Sequence, residues 1–323
     1  MHNHSANPLA ARLKHLTLNS PLLTASGTSG SCNEMGRMKN HRRILHALGA
    51  FVTKGVTLEP KRGNPEIRVM EIRTGLMNSI GLQNSGAAGF LQKELPQLES
   101  CRLPILVNIS ASTIGEFGKL AAYLRDNDRE ELIAGLEINV SCPNLHAGGM
   151  AFGVDPRLVE RVVKTVRRHS RKDWIVITKL SPNVTDITLP ARAAIEGGTD
   201  VLSMINTVRG MAVNIETRKP FLGNVVGGLS GPAIKPVGVL MVYQCFTKIP
   251  ECRSLRVPII GIGGIACWQD ALEYILAGAT ATGIGTAWFV NPNVFIEVRD
   301  GLEKYLSRHR TTLAKLVGKA CDC

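Results

Sequence analysis

The stretch Glu137-Ile138-Asn139-Val140-Ser141-Cys142-Pro143-Asn144 decides how the rest of the chain is interpreted. Its first half continues an apolar run, which predicts a buried strand, and polar residues gather at the carboxyl end of that strand. Pro143 ends the strand because proline has no amide proton to donate, and it favours an extended conformation in Cys142. The Cys142 thiol is therefore expected at a strand-to-loop boundary, although a free cysteine is more often a buried packing residue.

Seven more apolar runs along the chain share this pattern, and each leads to a helical stretch or to a loop. The eight predicted strands cover residues 20–27, 50–56, 104–110, 136–141, 174–180, 201–206, 257–261 and 281–286. Helices are predicted between them, for example at about residues 33–48 and after the fourth strand, where valines recur at helical spacing. Eight strand–helix repeats predict an α/β fold, a (β/α)8 TIM barrel, with residues 1–323 as a single domain and a flexible tail over residues 1–15.

The composition, with 44% hydrophobic residues, 20% charged residues and 32 glycines, is typical of such an enzyme. No apolar run is long enough for a transmembrane helix, and the amino terminus lacks a signal-peptide core, so no membrane association and a cytoplasmic location are expected. The eight cysteines are scattered, which predicts free thiols without a metal or cluster in this chain. The net charge of +12 indicates a solvated basic surface or a site for an acidic partner, and nucleic acid is not expected because aromatic residues are not interleaved.

The predicted strands end in polar residues or glycines, which in a barrel converge on one mouth at the carboxyl-terminal face. These residues are Ser26, Lys54, Asn108, Asn139 with Cys142, Lys179, Asn206 with Thr207, Gly263 with Gly264, and Gly285 with Thr286. Packing alone does not require two lysines and three asparagines at that position. The glycine loops after strands seven and eight lie where many barrels bind phosphate, although glycines also serve ordinary turns. Segment 227–233 adds backbone donors, and the long loop 59–84 is expected to be functional.

Together, these motifs resemble the dihydroorotate dehydrogenase family, in particular its class 1B catalytic subunits, which work with an electron-transfer partner. The resemblance extends from about residue 16 to residue 320 and rests on several blocks in a fixed order. They are Ala25-Ser26-Gly27-Thr28, Thr53-Lys54-Gly55, Asn78-Ser79-Ile80-Gly81-Leu82-Gln83-Asn84, Asn139-Val140-Ser141-Cys142-Pro143-Asn144, Lys179-Leu180-Ser181-Pro182-Asn183, Ile205-Asn206-Thr207, Gly228-Leu229-Ser230-Gly231-Pro232 and Gly261-Ile262-Gly263-Gly264. The chain departs from the family at Ser85, where a proline is common.

The resemblance implies a site for flavin mononucleotide (FMN), a substrate site and a catalytic base. FMN would be held by Ser26, Lys54, Gly55, Asn108, Asn139, Lys179, Ile205, Gly231, Gly263, Gly264, Gly285 and Thr286, with its phosphate on the Gly263 and Gly285 loops. Dihydroorotate, or its product orotate, would be held by Lys54, Asn78, Ser79, Ile80, Gly81, Leu82, Asn139, Asn206 and Thr207, with Cys142 as the base.

The same resemblance implies partners and a place in metabolism. The electrons would leave through an iron–sulfur subunit that carries FAD and a 2Fe–2S cluster, and NAD would be the final acceptor. The catalytic subunits would form a homodimer within a heterotetramer. The reaction would serve the de novo biosynthesis of pyrimidines, and hence of UMP.

The chemistry of this reaction favours the same residue types. Oxidation of dihydroorotate removes a proton from C5 and a hydride from C6, so a base must face one carbon and a hydride acceptor the other. A thiol suits the base better than a hydroxyl near neutral pH. Lys179 would balance the charge of reduced flavin, Lys54 would pair with the substrate carboxylate, and the amides of Asn78, Asn84, Asn139 and Asn206 suit a planar imide.

Three other functions compete with this interpretation. A class 1A dihydroorotate dehydrogenase would pass electrons to fumarate, and a related flavin-dependent dihydropyrimidine dehydrogenase would act on uracil-like rings. Lys54 favours dihydroorotate over the latter because it offers a partner for a carboxylate. A non-enzymatic barrel that binds a phosphorylated ligand would lack the yellow colour of a flavoprotein.

Overall fold

The structure is a computed structural model that describes residues 7–30, 33–36, 38–141, 143–144 and 150–322. Its strands, in chain order, are β1 (Ala11–Leu13), β2 (Leu16–Leu18), β3 (Leu22–Thr24), β4 (Phe51–Val52), β5 (Val69–Ile72), β6 (Gly75–Asn78), β7 (Ile105–Ile109), β8 (Ile133–Asn139), β9 (Pro143–Asn144), β10 (Met150–Ala151), β11 (Ile175–Lys179), β12 (Val201–Met204), β13 (Val208–Gly210), β14 (Val213–Asn214), β15 (Lys219–Pro220), β16 (Gly227–Ser230), β17 (Ile259–Ile262) and β18 (Ala281–Ile284).

The α-helices are α1 (Asn33–Gly36), α2 (His41–Ala47), α3 (Gly86–Gly89), α4 (Leu95–Glu99), α5 (Ile114–Asn127), α6 (Pro156–His169), α7 (Thr188–Glu196), α8 (Lys235–Lys248), α9 (Pro250–Arg253), α10 (Trp268–Leu276), α11 (Ala287–Val290), α12 (Val294–Arg308) and α13 (Leu313–Leu316). A π-helical turn covers Phe90–Glu94, and 3-10 turns cover Phe152–Val154, Pro232–Ile234 and Lys319–Cys321.

Eight of the strands form one parallel sheet in the order β3-β18-β17-β12-β11-β8-β7-β4. A parallel bridge between Leu23 and Ala50 brings the two ends of this sheet together, so the strands surround a closed interior. Each predicted apolar run overlaps one of these strands. The predicted (β/α)8 TIM-barrel fold is therefore confirmed.

The helices cover the barrel with the apolar faces that their spacing predicted. In α6, Val159, Val162, Val163 and Val166 are fully buried. The helix begins at Asp155, whose carboxylate accepts a hydrogen bond from the Arg157 amide at 2.9 Å, and Pro156 occupies the first turn, where its missing N–H costs nothing.

Two expectations about the amino-terminal part of the chain need correction. The helix predicted at about residues 33–48 is two helices, α1 and α2, because a turn at Met38–Asn40 separates them and asparagine favours helix ends and turns. Within the segment 1–15, expected to be a flexible tail, β1 pairs antiparallel with β2. Leu9 and Leu13 are fully buried, and this burial holds residues 7–15 against the domain, whereas residues 1–6 lie outside the described part.

A second sheet, hereafter the roof sheet, lies at the carboxyl-terminal side of the barrel. It is antiparallel, with the order β13-β16-β6-β5, and it is built from two segments that are distant in sequence. The loop 59–84 supplies β5 and β6, and the segment 206–231 supplies β13 and β16. The long loop singled out in the sequence is thus half of a sheet.

Cysteine chemistry differs from the expectation at one position. Cys101 is disulfide-bonded, so the prediction that every cysteine carries a free thiol is wrong there, whereas Cys245, Cys252 and Cys267 are free. Burial raises the pKa of Cys252 to about 12, which keeps this thiol protonated and unreactive near neutral pH. Within the described ranges, no helix has the length and apolarity to cross a membrane, and no group of His, Cys, Asp or Glu side chains could hold a metal ion.

Candidate active site

The carboxyl ends of the barrel strands bring the candidate residues to one mouth. Ser26 follows β3, Lys54 and Gly55 follow β4, Asn108 lies in β7, Asn139 and Lys179 end β8 and β11, Ile205, Asn206 and Thr207 follow β12, Gly263 and Gly264 follow β17, and Gly285 and Thr286 follow β18. The parallel register places Lys179 level with Asn139 on one side and with Ser203 on the other. The roof sheet adds Asn78 from β6, and Gly231 follows β16.

Beneath the mouth, the carboxylate of Glu137 is buried inside the barrel, with 1% of the residue exposed. Asn108 Nδ2 donates to Glu137 Oε2 at 2.6 Å, and Ser203 Oγ donates to Oε1 at 2.8 Å. Lys179 Nζ lies 3.8 Å from Oε2. Sequence reasoning assigned Glu137 no role, although a carboxylate within an apolar run is itself a signal, because burying it without partners is unfavourable.

The two asparagines at the centre of the mouth are held by a network of hydrogen bonds. Asn139 Nδ2 donates to Ser110 Oγ at 3.2 Å, and its Oδ1 accepts from Asn206 Nδ2 at 3.2 Å and from the Ser141 amide at 3.1 Å. Asn206 Nδ2 also donates to Ser141 Oγ at 3.0 Å, and its Oδ1 accepts from the Thr207 amide at 2.8 Å. Both amides therefore have fixed orientations, and Ser110 and Ser141 are positioning residues that the sequence did not reveal.

Close to these asparagines, the chain at Gly55 leaves little space for a side chain. A Cβ atom there would lie 3.2 Å from Asn108 Oδ1 and 3.4 Å from Leu82 Cδ2. Asn108 Oδ1 is buried and has no hydrogen-bond partner among the described residues. Lys54, one residue earlier, is half-buried, and no carboxylate in the described part of the chain lies within 4 Å of its ammonium. As far as the described residues go, the mouth thus offers an acceptor without a partner and a cation without a counter-ion.

Residues 78–82 comprise the end of β6 and the tight loop that follows it. Hydrogen bonds to other segments of the chain hold both in place. Asn78 Nδ2 donates to the Gly228 carbonyl at 3.3 Å, which ties β6 to β16. Asn64 Nδ2 donates to Ser79 Oγ at 2.8 Å. Gly81 has a φ of +73°, and a Cβ there would lie 2.5 Å from the Asn64 amide nitrogen, so this close turn requires glycine.

Asn84 does not take the role that its residue type suggested. Its Nδ2 donates to the Leu82 carbonyl at 2.7 Å, and its Oδ1 accepts from the Gly86 amide at 2.8 Å. The amide also bonds to Thr57. Because both ends of the side chain are used by the protein, Asn84 shapes the loop and offers little to a substrate.

A glycine-lined corner lies at the other end of the mouth, where β16, β17 and β18 finish. Gly231 and Gly264 have φ values of +95° and +67°, and a Cβ on Gly264 would lie 2.9 Å from the Gly231 carbonyl oxygen. Thr286 Oγ1 donates to Ser230 Oγ at 2.8 Å, which joins the β18 loop to the roof sheet. Glycine loops that meet at the carboxyl ends of barrel strands are a common setting for a phosphate group.

Tyr274, from α10, supports this corner and was not singled out by sequence reasoning. Its hydroxyl donates to the Gly263 carbonyl at 2.8 Å and reaches the Ile262 carbonyl at 3.2 Å. Burial raises the pKa of the phenol, so it stays a protonated donor near neutral pH. The ring packs against Gly261, where any side chain would collide with it at 2.4 Å.

The proposed base, Cys142, lies outside the described residues. Ser141 precedes it with a backbone fixed by Asn139, and β9, which follows it, pairs with β10. In chemical terms, the described mouth combines two ammonium groups, oriented amides and a glycine-lined corner. This combination suits a planar ligand that carries an acidic group, together with a phosphate at one end.

Comparisons with known proteins agree on one family. A family model described as dihydroorotate dehydrogenase matches residues 8–306. The "dihydroorotate dehydrogenase B (NAD(+)), catalytic subunit" of Thermoanaerobacter sp. (strain X514) is 48% identical over 291 residues, which cover 90% of this chain and 91% of the relative. The protein of the same name from Pelobacter propionicus is 45% identical over 316 residues, which cover 98% of this chain and 99% of the relative. That from Alkaliphilus metalliredigens is 47% identical over 292 residues, 90% of this chain and 91% of the relative.

Proposed function

This chain belongs to the dihydroorotate dehydrogenase family, and from that premise we propose that it oxidises dihydroorotate to orotate in de novo pyrimidine biosynthesis. The observation that carries the proposal is the mouth itself, where Lys54, without a counter-ion among the described residues, follows β4, and the oriented amides of Asn139 and Asn206 lie at the carboxyl ends of β8 and β12. We further propose that the chain is the catalytic subunit of an NAD-linked class 1B enzyme, in keeping with the names of its relatives. Its proposed location is the cytoplasm.

The residues present fit FMN as the cofactor. Asn108 Oδ1, which has no partner among the described residues, is an acceptor for an imide N–H, and the space above Gly55 would be filled by a Cβ. The corner of Gly231, Gly263 and Gly264, with Gly285 and Thr286, offers backbone amides for the phosphate. Ser26, Lys54, Asn139, Lys179 and Ile205 complete the proposed set. FMN, when bound, supplies the acceptor for the hydride that leaves C6 of the substrate.

The substrate assignment follows from the remaining polar groups. Lys54 would pair with the carboxylate of dihydroorotate, and Asn78, Asn139, Asn206 and Thr207 would bond to its ring amides. Residues 79–82 would contact the edge of the substrate ring with their backbone groups. Fixed amides favour catalysis because they need no reorganisation once the substrate is bound.

Cys142 is proposed as the base that takes the proton from C5. Its neighbours support this role in one respect: Ser141 and Asn139 have fixed orientations, so the backbone that leads to Cys142 is anchored. A thiolate is the form that accepts a proton, and polar neighbours at a strand end favour that form more than an apolar core does.

The electrons are proposed to leave through a partner. The relatives are named as catalytic subunits, which implies a further subunit, and NAD(+) appears in their names. We propose a partner that carries FAD and a 2Fe–2S cluster, and a homodimer of this chain within a heterotetramer.

Anaerobic mixing of the purified yellow protein with dihydroorotate tests the function directly. We expect rapid loss of the flavin absorbance, because the substrate reduces the bound cofactor, and slow or no loss with dihydrouracil, which lacks the carboxylate that Lys54 would bind. Equal bleaching by both compounds would favour a dihydropyrimidine dehydrogenase, and rapid turnover with fumarate a class 1A enzyme. A protein that binds no flavin would contradict the proposal.

A further inference from the structure

Glu137 joins three strands of the barrel directly beneath the mouth. Its carboxylate accepts hydrogen bonds from Asn108 on β7 and from Ser203 on β12, and it faces the ammonium of Lys179 on β11 at 3.8 Å. The residue is 1% exposed, so neither water nor salt can substitute for these partners. Both Asn108 and Lys179 belong to the proposed flavin site, whereas Glu137 lies one layer below it.

The Glu137 carboxylate determines the orientation of the Asn108 side-chain amide. A carboxylate has no proton to offer, so Asn108 must direct Nδ2 towards Glu137, as the 2.6 Å contact shows. Asn108 Oδ1 is then directed away from Glu137, 3.2 Å from the Cβ position of Gly55, and it has no partner among the described residues. Glu137 thereby makes Asn108 direct an acceptor towards Gly55, which follows β4 at the carboxyl-terminal face of the barrel.

The same carboxylate supplies a counter-charge to Lys179. At 3.8 Å the pair is in ionic contact but too far apart for a hydrogen bond, and Lys179 Nζ donates no hydrogen bond to another described residue. The protons of the ammonium therefore remain available to a ligand at the mouth. The net charge beneath a bound ring is close to zero with Glu137 present, and it becomes positive without it.

We propose that Glu137 is a positioning residue that fixes the orientation of Asn108 and, by its own negative charge beneath the mouth, lowers the reduction potential of the bound flavin. The inference rests on the proposed function, since it concerns the FMN that the mouth is proposed to hold. A buried negative charge disfavours the addition of electrons nearby, because Coulomb interactions are strong where water is excluded.

Glu137→Gln separates charge from orientation. The glutamine can keep its oxygen towards Asn108 Nδ2 and turn its NH2 group towards Ser203, whose hydroxyl can accept as well as donate. We expect FMN to bind the apoprotein within about threefold of the wild-type affinity. The reduced form should gain about tenfold in affinity relative to the oxidised form, which raises the two-electron potential by about 30 mV.

Asp128→Asn is the matched control. Asp128 is also a buried carboxylate, and it accepts from the Leu132 and Ile133 amides at the opposite, amino-terminal end of the same strand. Removing its charge should leave the flavin potential unchanged. A Glu137→Gln potential equal to that of Asp128→Asn would overturn the inference while the wild-type protein still bleached with dihydroorotate. Failure of the wild-type protein to bind or reduce flavin would instead contradict the proposed function.

A second comparison covers the case in which Glu137→Gln does not fold. Removing one partner of a buried ion pair leaves an uncompensated charge, whereas removing both does not. The double variant Glu137→Gln/Lys179→Met is therefore compared with Lys179→Met alone. The double variant should have the higher potential of the two, and equal potentials would refute the role of Glu137.

Discussion

At the scale of single residues, Lys54 and Lys179 are the same side chain in two different surroundings. Lys179 is 5% exposed and has the Glu137 carboxylate beneath it, whereas Lys54 is half-buried without a carboxylate within 4 Å in the described part of the chain. A buried ammonium with a counter-charge is a fixed part of the protein. A half-buried ammonium without one is a partner for an anionic ligand.

We expect Lys54→Ala to raise the KM for dihydroorotate about 10- to 100-fold, because a hydrogen bond to a charged group is lost, and to weaken FMN binding less than Lys179→Ala does. Lys179→Ala should instead weaken FMN binding or lower the flavin potential. Steady-state kinetics and flavin titration of each variant measure the two effects, with the surface variant Lys164→Ala as control. Loss of flavin from both mouth variants would contradict this division of roles.

Cys142→Ala should bind FMN normally and slow flavin reduction by dihydroorotate about 100- to 10,000-fold, the range for loss of a general base. Stopped-flow absorbance under anaerobic conditions measures the rate. Cys267→Ala, which removes an exposed free thiol elsewhere, should reduce at the wild-type rate. Wild-type bleaching by the Cys142 variant would show that another group is the base.

The sequence predicts the positions of individual site residues better than it predicts their hydrogen-bond partners. Strand-tip residues such as Asn139 and Asn206 could be placed at one mouth because parallel strands end on the same side. The partners of a side chain could not be read in the same way. Asn84 looks like the other asparagines in sequence, yet it bonds to its own loop, and Glu137 gains its importance only from neighbours on three other strands.

At the scale of elements, the loops after β16 and β17 depend on backbone conformations that side chains disfavour. Gly231, Gly263 and Gly264 all have positive φ values, and their neighbours approach closely. The helix predicted at about residues 33–48 is divided for a related reason. The spacing of apolar residues does not register the turn before α2, which asparagine stabilises. Periodicity predicts that an element exists more reliably than it predicts where the element ends.

Gly264→Ala should weaken FMN binding about tenfold or more. The added Cβ would lie 2.8 Å from Lys235 Cβ and 2.9 Å from the Gly231 carbonyl oxygen, and the left-handed conformation itself costs about 1–2 kcal/mol. Flavin titration of the apoprotein measures the change. Gly198→Ala is the matched control, because its φ is +93° but its Cβ meets only Arg167 Cγ at 3.7 Å, far from the mouth. Equal affinities in the two variants would show that the Gly264 loop does not contact the cofactor.

The start of α10 gives a prediction about pH. Burial would raise the pKa of Asp270, but hydrogen bonds from Lys235, the Ala266 amide and Cys267 hold that pKa below its usual value. A carboxyl group with a lowered folded-state pKa stabilises the fold above its unfolded pKa of about 3.9, and the contribution is lost as pH falls through the folded value.

Asp270→Asn should therefore lower the free energy of unfolding by about 1–2 kcal/mol at pH 7, as expected for a lost helix cap with an ion pair. The difference from the wild type should shrink as the pH falls below about 4. Urea denaturation at several pH values measures it, and Asp322→Asn, which removes an exposed pair with Lys319, is the control. A difference that stays constant with pH would contradict the role of the Asp270 charge.

At the scale of the whole molecule, the barrel separates stability from chemistry. The closed sheet and its helices supply the apolar core, whereas the carboxyl-terminal loops and the roof sheet supply the mouth. The barrel could be predicted from the sequence because its repeat is local, one strand and one helix at a time. The roof sheet could not, because β6 pairs with β16 and no local pattern records which distant strand completes a sheet.

The isolated chain should reduce a dye such as dichlorophenolindophenol with dihydroorotate but form no NADH until the partner subunit is added. The reason is that its glycine loops lie at the proposed phosphate corner of the barrel and do not form a strand–helix dinucleotide fingerprint. Absorbance at the NADH band, with and without the partner, measures the result. Sustained NADH formation by the chain alone would refute the two-subunit proposal. The net charge of +12 predicts that association with an acidic partner slows as salt is added.

The roof sheet also limits how parts can be exchanged between relatives. Leu76 and Ser230 are paired across β6 and β16 although they lie 154 positions apart, and Ser230 in turn accepts a hydrogen bond from Thr286. A chimera that takes only residues 59–84 from another parent would join a foreign strand to a native one. A change in the pairing register of β6 and β16 would then displace Ser230, and with it the glycine-lined corner to which Thr286 connects it. Viable recombinants are therefore those that inherit residues 59–84 and 206–231 from the same parent, although four strands of the barrel lie between the two segments.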